Sequence, residues 1–207
     1  MDADAVEIRV LGCLIEKQRA TPESYPLSLN ALRLACNQST NRDPVVDYDE
    51  HTIREGLNRL SRRGWARLAS GPGSRAVKFR HLFDEALGLT SEQTAVLAVL
   101  MLRGPQTPGE LKQRTQRLHA FEGLDEIASV LEELIQGDLV RRLERRPGQK
   151  EERFEHLLSE DGAEEAAPFP AEREPGPRPD RLAQLEREVA DLRREVAELR
   201  DELRGPG

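Results

Sequence analysis

His51, Asn58, Arg59 and Arg62 stand on a segment whose apolar positions are Ile53, Leu57 and Leu60. At helical spacing they fall, with Glu55, on the face opposite that apolar row. Imidazole, carboxamide and guanidinium groups along one helix suit hydrogen bonds and ion pairs to the phosphates and base edges of double-stranded DNA. Arg75, Lys78 and Arg80 follow within one short hairpin and add cations for the same polyanion. These seven residues form the candidate DNA-binding set. Reversing Arg59 and Arg62 to Glu is expected to leave the apolar row intact.

Other chemistries find little support. No Gly-rich phosphate loop follows a strand, no nucleophile elbow is present and no histidine pair has metal spacing. The chain is therefore read as non-enzymatic, with no catalytic, cofactor-binding or metal-binding residue assigned. Cys13 and Cys36 lack CxxC or His-rich company and read as small buried hydrophobes in a reduced, cytoplasmic setting. His81 and His156 occupy equivalent places in two hairpins whose other polar residues differ, which fits a repeated structural role. His119 falls in a loop.

The elements that must position the candidate residues come from an internal repeat. Pro72-Gly73 leading to Phe79-Arg80-His81-Leu82 returns as Pro147-Gly148 leading to Phe154-Glu155-His156-Leu157. Upstream, Leu57, Leu60 and Trp65 return as Leu131, Leu134 and Leu139, shifted by 74 residues, and the shift is 75 from the Pro-Gly turn onward. Agreement in kind, order and spacing marks two copies of one unit. In the first copy, Gly64 closes a helix, and 65–69 pairs with 76–80 as a hairpin. Two further helices precede each helix–hairpin: Val6 to Ile15, with Gly12 marking close packing, and a segment capped by Ser28 in the first copy. Asp47 with Glu50 reads as the cap of a third helix running to about Arg63. In the second copy Thr90 with Gln93 and Thr107 with Glu110 are capping boxes, Pro108 takes a first helical position, and the third helix spans 124–136.

The expected fold class is mainly α with small β-hairpins (α+β): two tandem winged helix-turn-helix domains, 1–83 and 84–158. A flexible linker, 159–180, and a coiled-coil helix, 181–204, complete the chain. The linker holds five prolines among acidic and small residues. The apolar run from Ala95 to Leu102 is too short to cross a bilayer, so no membrane association is expected.

The strings Arg9-Val10-Leu11-Gly12-Cys13-Leu14-Ile15-Glu16-Lys17, Tyr25-Pro26-Leu27-Ser28-Leu29-Asn30-Ala31-Leu32, Ala35-Cys36-Asn37-Gln38 and Leu100-Met101-Leu102-Arg103-Gly104-Pro105 resemble the YceH-like bacterial proteins. The resemblance covers about 5–158. It implies two winged-helix domains and brings no catalytic residues with it. Ser39 stands where Lys commonly follows the Asn-Gln of that family, and Phe154 where Tyr is usual.

Charge separates the copies. Residues 1–83 carry 13 basic and 10 acidic side chains, 84–158 carry 10 and 14, and 159–207 carry 8 and 14. At the positions matching His51, Glu55, Asn58, Arg59 and Arg62 the second copy has Asp125, Ser129, Glu132, Glu133 and Gln136. Only the first copy suits a polyanion. Two functions follow as expectations: a DNA-binding regulator acting through the first copy, or a protein-interaction adaptor docking other proteins on its winged helices.

Leu182, Leu185, Val189, Leu192, Val196, Leu199 and Leu203 alternate spacings of 3 and 4, a heptad seam. In a parallel pair, Arg181 would meet Glu186, Glu188 Arg193, and Glu195 Arg200, all attractive, so a homodimer through this helix is expected. Sedimentation should then show weaker self-association for a chain ending at Leu158 than for the full chain; identical behaviour would count against the tail.

Overall fold

A computed structural model of the chain describes residues 3–69, 77–144 and 151–159. Arg75, residues 160–180 and the heptad segment 181–204 lie outside the described residues. The described part is a mixture of helices and small antiparallel sheets within one compact unit.

Helix α1, Ala5–Ala20, begins at a capping box: Glu7 N donates to Asp4 Oδ1 (2.9 Å) and Asp4 N to Glu7 Oε2 (3.1 Å). Nine consecutive residues, Glu7 to Ile15, are buried, so α1 is enclosed on all sides rather than along one face. A Cβ on Gly12 would lie 2.9 Å from Leu102 Cδ2, which accounts for glycine there and confirms its close-packing role. Strand β1, Leu27–Ser28, leads into α2, Leu29–Cys36, where Ser28 Oγ accepts from Ala31 N (3.3 Å) as expected.

Helix α3, Glu50–Arg62, starts later than the sequence suggested. Its cap is Asp49, which accepts from Thr52 N at 2.7 Å. Asp47 instead accepts from Asn37 Nδ2 (3.3 Å), while the Asn37 carboxamide also pairs with both Tyr48 N (2.9 Å) and Tyr48 O (2.8 Å). That clamp holds the backbone extended through Tyr48 and leaves Asp49 as the first carboxylate free to cap.

The hairpin strands are β2, Ala66–Leu68, and β3, Lys78–His81, with Ala66 opposite His81. A short helix that the sequence did not disclose, α4, Phe83–Leu87, follows at the expected boundary between copies. Its Phe83 is fully buried and meets Trp65 edge-on at 5.1 Å. Helices α5, Ser91–Arg103, and α6, Pro108–Thr115, both carry the expected capping boxes, and α7 is Leu124–Gln136. Strands β4, Val140–Leu143, and β5, Arg153–His156, form the second hairpin.

Backbone details repeat with the sequence. Trp65 N donates to Leu60 O at 2.9 Å, as Leu139 N does to Leu134 O. The reversal needs a left-handed residue one place earlier, supplied by Gly64 (φ 75°) and Asp138 (φ 53°). Val140 faces His156 as Ala66 faces His81. A third partner is repeated too: Phe79 pairs with Leu27, and Phe154 with Gln106.

Both histidines are buried in these hairpins. His81 Nε2 lies 2.5 Å from Gln18 Oε1, Nδ1 lies 3.4 Å from Asp84 Oδ1, and burial pushes its pKa down. Burial takes His156 down to about 4. The folded state thus prefers neutral imidazole, whereas an unfolded histidine titrates near 6.5. The stability this contributes is fully present above pH 6.5 and is lost as pH falls toward 4, by up to about 3 kcal/mol for His156. Urea midpoints measured from pH 7.5 down to 4.5 should fall, and His156→Leu, whatever its own baseline, should flatten that slope.

Candidate nucleic-acid interface

Helix α3 divides into two faces because Ile53, Gly56, Leu57 and Leu60 are all buried. A Cβ on Gly56 would come 2.9 Å from Val6 Cγ1, so α3 lies close against α1 on this side. The opposite side exposes His51, Arg54, Asn58, Ser61 and Arg62 in one stripe. Two carboxylates share this side: exposed Glu50, one turn before Arg54, and Glu55, whose Oε1 accepts from Asn58 Nδ2 at 3.2 Å. Arg62 has no ion pair among the described residues. Arg54 was missing from the sequence-derived set, although its spacing of three from His51 and four from Asn58 places it on the same row.

Arg59 behaves differently from its neighbours. Its Nη2 lies 2.8 Å from Asp4 Oδ2 and its Nε 3.5 Å from Glu7 Oε2, with a third of the side chain exposed. Arg63 Nε donates to the other Glu7 oxygen at 2.9 Å, and its guanidinium lies 5.6 Å from the Trp65 ring centre. The Glu7 side chain is only 2% exposed, so two guanidiniums and the α1 capping bond compensate a carboxylate withdrawn from water. Sequence periodicity could not separate Arg59 from Arg62, because the distinction depends on where the first turn of α1 lies.

On the hairpin, Lys78 and Arg80 are half-buried on β3. Arg80 Nη2 donates to Glu85 Oε1 at 3.0 Å, and exposed Arg67 stands across the strand pair from Arg80. The structure therefore aligns His51, Asn58 and Arg62 with Arg54, puts Lys78, Arg80 and Arg67 on the hairpin, and commits Arg59 largely to α1.

The polar stretch leading into α3 is tied down by another residue that sequence reading passed over. Arg42, whose side chain has no exposed surface, donates to both Glu16 oxygens (2.6 and 3.0 Å), to Ala35 O (3.1 Å) and to Gln38 Oε1 (3.0 Å). Arg9 braces the same stretch through Cys36 O (3.2 Å) and Pro44 O (2.6 Å). Both cysteines are buried and free. Among the described residues no cluster of acidic, His or Cys side chains has the arrangement to hold a metal, and no helix is long and apolar enough to cross a membrane.

The second copy repeats the geometry with the sign changed. Asp125, Ser129, Glu132, Glu133 and Gln136 are exposed on α7, with Ala128 where α3 has Arg54. Glu132 pairs with Arg142, and Glu133 accepts from Gln93 Nε2 at 3.0 Å.

A protein of two helix-and-hairpin copies, one presenting a basic row and the other an acidic one, is the class that fold and surface define. The chain belongs to the family described as "Protein of unknown function, DUF480", whose model matches residues 3–149. It is 49% identical over 191 residues to a UPF0502 protein of Opitutus terrae, covering 89% of this chain and 80% of the relative. A UPF0502 protein of Solibacter usitatus is 48% identical over 189 residues, covering 90% and 91%, and one of Serratia proteamaculans 44% over 197 residues, covering 91% of each. The family expected from the sequence strings is thereby the one found.

The unequal surroundings of two arginines make a test of the site's construction. Arg59→Glu sets a third carboxylate beside Asp4 and Glu7 and should cost roughly 1–3 kcal/mol in urea unfolding. Arg62→Glu, on the open row, should stay within about 0.5 kcal/mol of the parent. The expectation from sequence that both can be reversed with folding untouched is thus kept for Arg62 alone.

Proposed function

We propose that the chain is a non-enzymatic, transcription-regulator-like protein of the cytoplasm that binds double-stranded DNA through α3 and the β2–β3 hairpin. In this reading the copies are tandem winged helix-turn-helix domains, α3 enters the major groove, and the hairpin acts as the wing against the phosphate backbone. A homodimer held by the C-terminal heptad helix would present two such units to DNA. The observation that carries the reading is the contrast between equivalent exposed rows: His51, Arg54, Asn58 and Arg62 on α3 against Asp125, Ala128, Glu132 and Gln136 on α7. Side chains that donate hydrogen bonds and carry positive charge favour a polyanion, and carboxylates on the matching face repel it. Lys78, Arg80 and Arg67 supply further positive charge on the hairpin, and Arg75 would extend it.

The adaptor reading rests on a different observation, an apolar groove on the second copy lined by Leu124, Ala128, Leu131 and Phe154. The two activities use different faces and are compatible in one molecule.

Fluorescence anisotropy with a generic duplex at several salt concentrations tests the DNA reading. Arg54→Glu combined with Arg62→Glu should weaken binding across all sequences and reduce the slope of log K against log salt by about 0.9 for each phosphate no longer neutralised. Glu132→Ala with Glu133→Ala should bind at least as well as the parent. Absence of any affinity at low salt, or a slope unmoved by the arginine reversals, would remove the proposed site.

A further inference from the structure

The described surface of the second copy opens into a groove of about 360 Å³ between the start of α6, helix α7 and the β4–β5 hairpin. Its floor is apolar: Leu131 and Phe154 are buried beneath it, while Leu124, 52% exposed, stands at the lip beside Ala128. Pro108 and Gly109 line the α6 side. Its volume is within the range of about 300–1,000 Å³ typical of ligand clefts. A half-exposed leucine at the mouth of such a groove is surface that water solvates poorly.

The residues lining this groove differ from those at matched positions of the first copy. Where α7 has Leu124, Ala128 and Glu132, α3 has Glu50, Arg54 and Asn58, and where α6 begins with Pro108-Gly109, α2 begins with Leu29-Asn30. Three carboxylates line its rim, Glu132, Glu151 and Glu152, the last two where the first hairpin has Ala76 and Val77. Among the described lining residues the one guanidinium, Arg142, is paired with Glu132, lies 3.3 Å from Glu152 and sits 5.6 Å from the Phe154 ring centre. Asp125 and Glu133 continue the negative field along the exposed side of α7.

We propose that this groove docks a basic amphipathic segment of a partner protein, its aliphatic side chains on the Leu124–Phe154 floor and its Lys or Arg residues at the carboxylate rim. Apolar anchors between cations match both features at once, as in helix-in-groove recognition. Nucleic acid is disfavoured by the rim charge. The chain's own heptad segment is a poorer occupant, since 181–204 carries six arginines against seven acidic residues and offers no net positive charge. The inference is independent of DNA binding by α3.

The test uses the full chain and a fluorescein-labelled designed helix of about 14 residues, with Leu at i, i+3, i+4 and i+7 and Lys elsewhere. One control scrambles the leucines at constant composition, and another replaces Lys by Glu. The basic amphipathic peptide should bind, and both controls should bind about tenfold or more weakly. Ala128→Arg, which places in α7 the residue α3 carries at this position, fills the groove from an exposed site. It should weaken the basic peptide about tenfold, and Glu151→Lys should weaken it less but in the same direction. Arg54→Glu with Arg62→Glu should leave peptide binding unchanged. Equal binding by the scrambled peptide, or an Ala128→Arg chain that binds as well as the parent, would overturn the proposal. So would a change in sedimentation caused by Ala128→Arg alone, which would assign the groove to a second copy of the chain.

Discussion

A helix enclosed on every side must satisfy several neighbours at once, and α1, like the α5 helix it packs against, is such a helix. Its burial from Glu7 to Ile15 sets two conditions on the surrounding elements. At Gly12 the backbone comes so close to Leu102 on α5 that a Cβ there would force the Leu102 side chain to shift. At Glu7 a carboxylate needed to cap the first turn has been taken out of water, and its charge has to be met locally. Arg59 and Arg63 meet it from α3. Helix capping, the placement of α3 and the choice of which arginines stay on the open face therefore follow from one buried acid.

The approach to α3 is governed by the same logic of buried polar groups finding partners. Arg42 is more costly to bury than any neutral residue, and its bonds to Glu16, Ala35 and Gln38 turn a run of small polar residues into an anchored path. The Asn37 clamp on Tyr48 then delays the start of the helix until Asp49. Together these bonds set where the exposed row of α3 begins, and with it the order in which His51, Arg54, Asn58 and Arg62 are presented.

The two copies repeat several backbone features and differ in what their described surfaces expose. The same leucines, left-handed residues and paired strands recur, while the outward positions have changed from basic and polar to acidic and apolar. Conserving the packed half of each element and altering the other half is how one unit acquires two surfaces, because exposed positions contribute little to folding and can change freely.

Much of this was legible from residue order alone because it depends on local rules. The repeat, the two capping boxes of the second copy, the α7 limits and the existence of the first hairpin all follow from spacing, caps and turn residues within a few positions of one another, although its described strands pair 66–68 with 79–81, further along the chain than the 76–80 expected. The equivalent places of His81 and His156 in unlike surroundings pointed to a repeated structural role, and the structure buries both. Sequence periodicity also identified the exposed face of α3, since Ile53, Leu57 and Leu60 define its inverse. The cap at Asp49, the withdrawal of Arg59, the anchoring by Arg42 and the third strand at Leu27 were decided only in three dimensions. Each joins residues distant along the chain: Asn37 to Tyr48, Asp4 to Arg59, Glu16 to Arg42, Leu27 to Phe79. The groove over Phe154 likewise needs α6, α7 and a hairpin to converge. Periodicity reports which side of an element is buried, but the partner that meets a charge or leaves a gap is chosen by long-range packing, which a one-dimensional pattern does not encode.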